Sequence, residues 1–486
     1  MITTSLWEQQ MMTNLFKNIL IISFVVMISV HLMSCSGGGQ MPGAIPMPQM
    51  IDSDDTDVDV VPTPTPTPTP KPKSSGNTLL VSQYAKSGYY TSIQDAITAS
   101  KNGDSVIVTA GTYNEDIDFQ GKAIVVKSET GANATVIKGN GVAGDGAVTF
   151  SHNETSASVL DGFTIDTSTS STTGVERGIY ISNASPIIQN NFITSNVSGN
   201  FKSGGGIYAE STNGLFSPII KNNKIEGNKT GTESTESGGG ICIYINSNNS
   251  SGVPIIENNS IRNNNAKYMG DGILIHASGN NSVVPEMRNN SIENNYNKGI
   301  TIWVTEENSR ISAKIKNNVV AKNITGIEIE IRSSGQIGYG QNRLVIENNT
   351  IVNNENYGIY FLQYRPDTIH ADILNNVITN RGIIFSTPSE TNPYDAKIQY
   401  NDILVPENQY TCSGTTVCDT GNAFGNILID PMFVEPYTTP DKLYDLHLMP
   451  GSPCSDTGSP DDIYDDTDGS LNDMGAYGGP YGNSWE

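Results

Sequence analysis

The chain has 486 residues, of which 7% are aromatic and 48 are glycine. This length, with few aromatic residues and much glycine, favours a stacked repeat over an ordinary globular domain. The 50 acidic residues outnumber the 27 basic ones and give a net charge of −23, which repels an extended phosphate backbone. Nucleic acid is therefore excluded as an expected partner.

The N-terminal segment, residues 1–34, has the pattern of a secretory signal. Lys17 precedes an apolar run over 19–33, which ends in small residues. The tetrapeptide Leu32-Met33-Ser34-Cys35 resembles a bacterial lipoprotein signal, and this resemblance implies cleavage before Cys35 and acylation of its sulfur. We therefore expect a lipid-anchored protein of the bacterial cell envelope or surface. A short transmembrane anchor is the alternative, although the run is shorter than the ~20 residues that span hydrocarbon.

Residues 35–76 form a linker that cannot build a core. Glycine, proline and aspartate dominate its first part, and Thr-Pro alternates within 61–73. This alternation favours polyproline II, a semi-rigid spacer. The linker would hold the following domain away from a membrane surface.

A short helix is predicted at the start of the folded region. Ser92 and Asp95 form a capping-box-like pair, and Ile93, Ala96 and Ile97 make an apolar stripe, so we expect a helix over 92–100. Placed over the first coil of a stacked repeat, this helix would cover an exposed sheet end.

Two short patterns alternate through the rest of the chain. The first is Gly-Ile-x-Ile, and the second is Ile-x-Asn-Asn-x-Ile, as in IIENNSIRNN at 255–264. The asparagine pairs begin at 190, 222, 258, 289, 317, 348 and 375, with a weaker copy near 400. Apolar residues alternate with period two, which indicates short strands without helices between them. Such units predict stacked coils whose strands pair in parallel, ~4.8 Å apart.

This pattern resembles the right-handed parallel β-helix repeat proteins, a fold shared with pectate lyases. SIQDAITASKNGDSVIVTAGTYNEDIDFQGKAIVVKS at the start and YDLHLMPGSPCSDTG near the end carry the same resemblance. It implies an all-β, single-stranded right-handed parallel β-helix of about ten or more coils with a short N-terminal capping helix. We assign the helix to residues 77–430 and a C-terminal capping segment to 431–486. In this fold asparagines stack at a tight turn, and asparagine tolerates the left-handed backbone there.

A candidate binding face follows from the Gly-Ile-x-Ile pattern. If its isoleucines point inward, the third and fifth residues point outward, and Tyr244, His276, Trp303 and Glu330 form one column on neighbouring coils. Aromatic faces beside charged groups suit a sugar polymer, and Tyr360 extends the set of substrate-binding candidates. The alternative is that these side chains only pack against each other.

The candidate catalytic residues are Glu328, Glu330, Arg332 and Lys298. Glu328 and Glu330 are two residues apart on one strand, so their α-carbons lie ~6.5–7 Å apart. This spacing permits a glycosidase pair or a shared metal ion such as Ca²⁺. For a pectate-lyase-like reaction, Lys298, Arg332 and Arg365 are the candidate bases.

Cysteine and aspartate positions give three further predictions. Cys412 and Cys418 enclose CSGTTVC and form a disulfide in an oxidising compartment, whereas Cys242 and Cys454 have no evident partner. The acidic run over 461–473 departs from the EF-hand register, so a solvated loop is favoured over a calcium site. No metal-binding residues are assigned from the sequence.

The function expected from these features is binding or cleavage of an extracellular polysaccharide. An enzyme of this kind would be a polysaccharide lyase, an epimerase or a glycoside hydrolase. The alternative is a non-catalytic cell-surface adhesin or an envelope structural protein, in which the repeat is a stiff spacer.

Overall fold

The computed structural model describes residues 76–140, 146–168, 177–198, 203–231, 237–246, 249–306, 309–332, 336–337, 343–364, 369–379, 381–386, 395–404, 411–412, 424–436 and 444–482. Three long sheets, A, B and C, contain 13, 11 and 11 strands. From Ser105 onward each coil contributes one strand to each sheet, sheet A has two further strands before that point, and every pairing within these three sheets is parallel. The fold is a right-handed parallel β-helix, as the sequence predicts.

The strands of the three sheets are short, and their bounds follow the repeat. Sheet A contains Thr78–Val81, Tyr89–Tyr90, Ser105–Val108, Val125–Ser128, Val159–Asp161, Ile187–Gln189, Ile219–Lys221, Ile255–Glu257, Glu286–Arg288, Lys314–Lys316, Leu344–Glu347, His370–Leu374 and Asp395–Gln399. Sheet B contains Gly111–Tyr113, Thr135–Lys138, Thr164–Asp166, Phe192–Thr194, Lys224–Glu226, Ser260–Arg262, Ser291–Glu293, Val319–Ala321, Thr350–Val352, Val377–Thr379 and Asp402–Leu404. Sheet C contains Ile117–Asp118, Gly146–Phe150, Arg177–Ser182, Ile207–Ser211, Ile241–Asn246, Ile273–Ser278, Lys298–Val304, Thr325–Ile331, Tyr357–Gln363, Ile383–Ser386 and Thr411–Cys412.

The remaining elements are small. Three further sheets are formed by Gly214–Leu215, Ser250–Gly252 and Ser282–Val283, by Arg310–Ile311 and Gln336–Ile337, and by the antiparallel pair Phe433–Glu435 and Asp445–Leu448. The α-helix spans Ile93–Ala99, and a 3₁₀ helix spans Asp462–Tyr464. Among the described residues, no helix is long and apolar enough to cross a membrane.

The predicted capping helix is confirmed. Ser92 is its N-cap and its Oγ accepts a hydrogen bond from the backbone N–H of Asp95 at 3.1 Å. Glu115 adds a second cap, because its carboxylate accepts the backbone N–H of Ile93 at 2.8 Å. The stripe of Ile93, Ala96 and Ile97 is fully buried, as its spacing predicts.

The core is a continuous column of aliphatic side chains inside the coils. Both isoleucines of the Gly-Ile-x-Ile pattern point inward, as at Ile300 and Ile302, which are fully buried. Each such side chain contributes roughly 1.5–3 kcal/mol through the hydrophobic effect. The glycine of the pattern is needed because the coils approach closely there. A Cβ on Gly299 would lie 2.7 Å from the Gly326 carbonyl oxygen and 2.9 Å from the Asn323 amide nitrogen.

The two residues of each asparagine pair have different structural roles, one in the turn backbone and one in a buried hydrogen-bond ladder. The first residue of each pair adopts the left-handed region, with φ from 52° to 57° at 190, 222, 258, 289, 317, 348 and 375. The second residue is buried in a ladder in which each amide Nδ2 donates to the Oδ1 of the next coil at 2.9–3.1 Å. The ladder consists of the second asparagines Asn191, Asn223, Asn259, Asn290, Asn318, Asn349 and Asn376, and it continues through Asn401 and Asn426, which follow Tyr400 and Gly425. The predicted stacking of asparagines is confirmed.

A second ladder lies at the next turn, between sheets B and C. Its amides are joined by the same kind of bond at 2.8–3.3 Å. It consists of Asn196, Asn228, Asn264, Asn295, Asn323 and Asn354. Sequence reasoning missed this ladder, although its signal is present as the last asparagine of stretches such as IIENNSIRNN.

The C-terminal segment packs against the side of the helix across four coils. The first asparagines of two pairs contact this segment. Asn317 Nδ2 donates to the Gly478 carbonyl oxygen at 2.6 Å, and Asn348 Nδ2 donates to the Asp473 carbonyl oxygen at 2.9 Å. Met474 and Ala476 join a buried cluster with Val352 of sheet B. The domain boundaries at 76/77 and 430/431 stay a prediction.

Candidate functional site

The outward face of sheet C carries two rows of side chains that run along the helix axis. The register pairs Tyr244 with His276, His276 with Trp303, and Trp303 with Glu330 on successive coils. In the second row Glu328 lies between Thr301 and Tyr360. The predicted column is therefore confirmed as an arrangement, while the binding and catalytic roles of its members stay predictions.

Three rings of the first row form a continuous stack. The ring centroids of Tyr244 and His276 are 4.7 Å apart, and those of His276 and Trp303 are 4.2 Å apart. His276 Nε2 lies 2.8 Å from Thr305 Oγ1. Burial lowers the pKa of His276 to about 4, so the imidazole is uncharged at neutral pH. The stack is thus a neutral aromatic surface, which we call the aromatic row.

A chain of four charged side chains begins where the aromatic row ends. Lys298 Nζ forms an ion pair with Glu328, and Arg332 Nε forms one with Glu330. Both carboxylates are buried, with Glu328 4% and Glu330 1% exposed. The structure therefore brings together all four predicted catalytic residues, but it covers the carboxylates more than an open groove would. We call these four residues the ionic cluster.

The two carboxyl groups of the ionic cluster also influence each other electrostatically. Burial raises the pKa of Glu328, the Lys298 ammonium opposes this shift, and the negative charge and hydrogen bond of Glu330 add to it. A raised pKa is the direction of shift that a general acid requires. The formal charges of the cluster sum to zero when all four groups are ionised.

Arg332 lies among three aromatic rings at the edge of the cluster. Its guanidinium carbon is 5.4 Å from the ring centroids of both Tyr268 and Trp303, and 5.9 Å from that of Tyr364. It also donates a hydrogen bond to the Tyr268 hydroxyl. Sequence reasoning missed Tyr268 and Tyr364, because they lie in loops outside the strand pattern. Their only signal is an aromatic residue just before GDG and another just after the strand Tyr357–Gln363.

Tyr360 extends the face on the far side of Glu328. Its ring stacks on that of Tyr357, with centroids 4.4 Å apart and planes at 15°. Burial raises its pKa. Arg365, the third predicted base, lies outside the described residues.

Two polar atoms on this face are buried without a partner. Thr301 Oγ1 and Trp303 Nε1 find no hydrogen-bond partner among the residues that the structure describes. Thr301 is fully buried beside Glu328, and Trp303 lies beside Glu330. Unpaired buried polar groups cost free energy, so both atoms are suited to a ligand or water that approaches the cluster.

The predicted cysteine roles lie mostly outside the described residues. Cys35, Cys418 and the side chain of Cys412 lie outside the described residues. The lipidation of Cys35 and the Cys412–Cys418 disulfide therefore stay predictions. Cys242 is a free, buried thiol between Tyr208 and Leu274, and burial raises its pKa to about 12. It is therefore an unreactive part of the packing.

Two groups of acidic residues bear on metal binding. Asp118, His152 and Glu154 place ligand atoms within 4.8 Å of one another. However, Glu154 already accepts the backbone N–H groups of Gly121 at 2.8 Å and His152 at 2.9 Å, which explains its burial without a metal. In the acidic C-terminal run, Asp466 likewise accepts backbone N–H groups, including that of Asp473 at 3.2 Å.

A family model agrees with this fold over part of the chain. Residues 254–378 match the family described as "Right handed beta helix region". Among solved structures, one described as "The complex structure of XylC with xylose" is 11% identical, with a TM-score of 0.43 over 69% of this chain and 76% of that chain. A second, described as "Crystal structure of pectate lyase Pel9A", is 14% identical, with a TM-score of 0.43 over 83% of this chain and 96% of that chain. No curated protein matches the chain.

Proposed function

We propose that the protein binds an extended polysaccharide along the outward face of sheet C. The observation that carries this proposal is the aromatic row, in which Tyr244, His276 and Trp303 present adjacent rings on three successive coils. The rings stack on one another, so the row presents their apolar edges to a sugar chain, and the neighbouring Arg332 supplies hydrogen-bond donors. A row that repeats with every coil suits a polymer better than a single small molecule.

The charge of this face favours a neutral polymer. The ionic cluster carries no net charge when ionised, and the whole chain carries −23. A polyanion such as a polyuronate would be repelled unless cations such as Ca²⁺ bridged it to the protein. We therefore expect the strongest binding with uncharged polysaccharides.

Catalysis at Glu328 is the second candidate function, favoured by its raised pKa beside Lys298. Glu328 and Glu330 are both buried, and each is already paired with a cation, Lys298 or Arg332. A glycosidase pair must instead flank the sugar bond with two accessible carboxyl groups. Proton transfer of the lyase or epimerase kind fits this geometry better than hydrolysis, and Lys298 can act as its base in the form of the pair whose shared proton lies on Glu328.

The test measures binding and turnover on the same protein. Full-length protein and the Trp303→Ala and Glu328→Gln variants are incubated with neutral and uronate-containing polysaccharides, with and without Ca²⁺. Affinity electrophoresis measures binding, ultraviolet absorbance detects unsaturated ends, and a reducing-end assay detects hydrolysis. Binding lost in Trp303→Ala without turnover supports the first candidate, and new unsaturated ends lost in Glu328→Gln support the second. If no polysaccharide of the panel is bound or cleaved, both candidate functions are contradicted and a structural role in the envelope is favoured.

The anchor is a separate proposal that rests on the N-terminal sequence. We propose that acylation of Cys35 holds the protein at the bacterial envelope, where extracellular polysaccharide is present. Labelling with a radioactive fatty acid should mark the wild-type protein and fail to mark Cys35→Ser. Equal labelling of both would contradict the anchor without affecting the binding face.

A further inference from the structure

A groove of about 340 Å³ lies at the turn between sheets B and C, away from the face proposed above. Its lining comes from five successive coils, through Lys229, Asn265, Tyr296, Ile324 and Glu355. Five coils span ~19 Å along the axis. The volume falls in the range of ligand sites, ~300–1,000 Å³, and the length suits a short linear oligomer.

Tyr296 is the one aromatic residue among the described residues that line this groove. It is 69% exposed, so the core does not require it. Its backbone N–H donates to the Asn264 carbonyl oxygen at 3.0 Å, which fixes its position at the end of the turn. An exposed ring beside a groove offers a flat apolar face with a hydroxyl at its edge.

Amide groups line the groove beside Tyr296. Asn294 Nδ2 donates to Asn263 Oδ1 at 2.5 Å, and Asn263 Nδ2 donates to Glu226 Oε1 at 3.1 Å. Both asparagines have a positive φ, a backbone conformation that asparagine tolerates, and this partly explains why asparagine occupies these positions. The same turn position is occupied by Ser195, Gly227 and Lys322 in other coils, so the backbone does not require asparagine there. The backbone conformation alone therefore does not account for the side-chain amides of Asn263 and Asn294.

We propose that this groove, which we call the Tyr296 groove, binds a neutral oligosaccharide. A flat ring beside neutral amide donors and acceptors matches the alternating apolar and hydroxyl surfaces of sugars. The charged lining residues are Lys229, Lys322 and Glu355, a net charge of +1, and Lys322 Nζ already donates to the Tyr444 hydroxyl at 2.7 Å. This small charge gives the groove no strong preference for an anion. The site is independent of the face on sheet C, and each can be lost without the other.

Isothermal titration calorimetry of the full-length protein with cellohexaose, xylohexaose and mannohexaose tests the proposal, with hexagalacturonate as the anionic comparison. Tyr296→Ala should weaken binding of at least one neutral hexasaccharide about tenfold or more. Asn294→Gly, which keeps the positive φ while removing the amide, should weaken it severalfold. Tyr84→Ala is the matched control, because Tyr84 is 72% exposed and lies outside the groove.

The outcomes separate this site from the face on sheet C. Binding that is lost in Tyr296→Ala but kept in Trp303→Ala and Tyr84→Ala supports the groove even if the proposed function fails. Equal affinities of Tyr296→Ala and Tyr84→Ala would overturn the groove, as would the absence of binding by every neutral hexasaccharide. Preferred binding of hexagalacturonate would overturn the neutral ligand class.

Discussion

Trp303 lies directly beside Glu330 on the neighbouring coil, in the register that places His276 on its other side. One residue thus joins the aromatic row to the ionic cluster. The indole is in contact with a neutral ring on one flank and next to a buried, arginine-paired carboxylate on the other. Any ligand that follows the row must reach the charged groups at this point.

Replacing Trp303 tests the role of the aromatic row. Trp303→Ala should lower polysaccharide affinity about tenfold or more, because a central aromatic side chain carries a large share of binding energy. Trp303→Phe should retain part of the affinity. Since Trp7 and Trp485 are the other two tryptophans, fluorescence titration in a Trp7→Phe/Trp485→Phe background reports on this face alone. Unchanged affinity in Trp303→Ala would place binding elsewhere.

A double-mutant cycle tests the Lys298–Glu328 ion pair. Lys298→Met leaves a buried carboxylate without its cation and should lower the free energy of unfolding by about 3 kcal/mol. Glu328→Gln should cost less, and the double variant should recover part of the loss. Chemical denaturation of the four proteins measures the coupling. A coupling below about 0.5 kcal/mol would mean that the pair does not stabilise the fold.

His276 should make the protein sensitive to acid. Its folded-state pKa of about 4 is below the ordinary 6.5, so the unfolded chain binds the proton more readily. Stability should be constant above pH 6.5 and fall as the pH drops toward 4, by roughly 3 kcal/mol in total from this group. Denaturation midpoints of wild type and His276→Phe should diverge over this range. Parallel curves would contradict the shift.

Asp402 should lower the free energy of unfolding as the pH rises, which is the opposite of the pH dependence expected from His276. It is fully buried, its Oδ1 accepts the Ile429 N–H at 3.1 Å and its Oδ2 accepts the Cys454 thiol at 3.2 Å, and burial raises its pKa to about 6. Because the folded pKa is above the ordinary 3.8, its contribution is fully present below pH 3.8 and is lost as the pH rises through 6. Asp402→Asn should therefore be more stable than wild type above pH 6, by roughly 3 kcal/mol. The same denaturation series checks this, and equal stabilities at pH 8 would count against it.

The asparagine ladder should dominate the stability of individual coils. Asn318 is fully buried; its Oδ1 accepts the Asn290 N–H, and its Nδ2 donates to the Met287 carbonyl oxygen at 2.9 Å. Asn318→Ala should cost about 3 kcal/mol or more, because several buried polar groups lose their partners. Asn258→Gly is the control, since Asn258 is exposed and its positive φ suits glycine, and its cost should stay within about 0.5 kcal/mol. Comparable losses in both variants would contradict the division of tasks within each pair.

Sequence periodicity was sufficient for the frame of this protein. The alternating isoleucines fixed which residues face inward, and because a one-residue slip would move every side chain to the other face, the register of sheet C followed directly. The column from Tyr244 to Glu330 was predictable for this reason. The second asparagine ladder is present in the same stretch but is a weaker sequence signal, because the residue before each of its asparagines varies among serine, glycine, lysine and asparagine.

The surroundings of the site were decided by tertiary structure alone. Tyr268 and Tyr364 reach Arg332 from loops whose paths depend on packing and not on a repeat spacing. The pairing of Lys298 with Glu328 was likewise absent from the pattern, although the register brings their strands together. Those contacts decide that the carboxylates are buried and that the pKa of Glu328 is raised.

The sequence by itself determined a parallel β-helix, its inward and outward faces and the order of residues along them, since short-range alternation is enough to specify a repeated strand. Only the tertiary structure decided how far each outward group is covered, which charges neutralise each other, and where the Tyr296 groove lies. The physical reason is that desolvation and ion pairing depend on what loops from other coils place above a strand, and loop conformation is not encoded in the repeat.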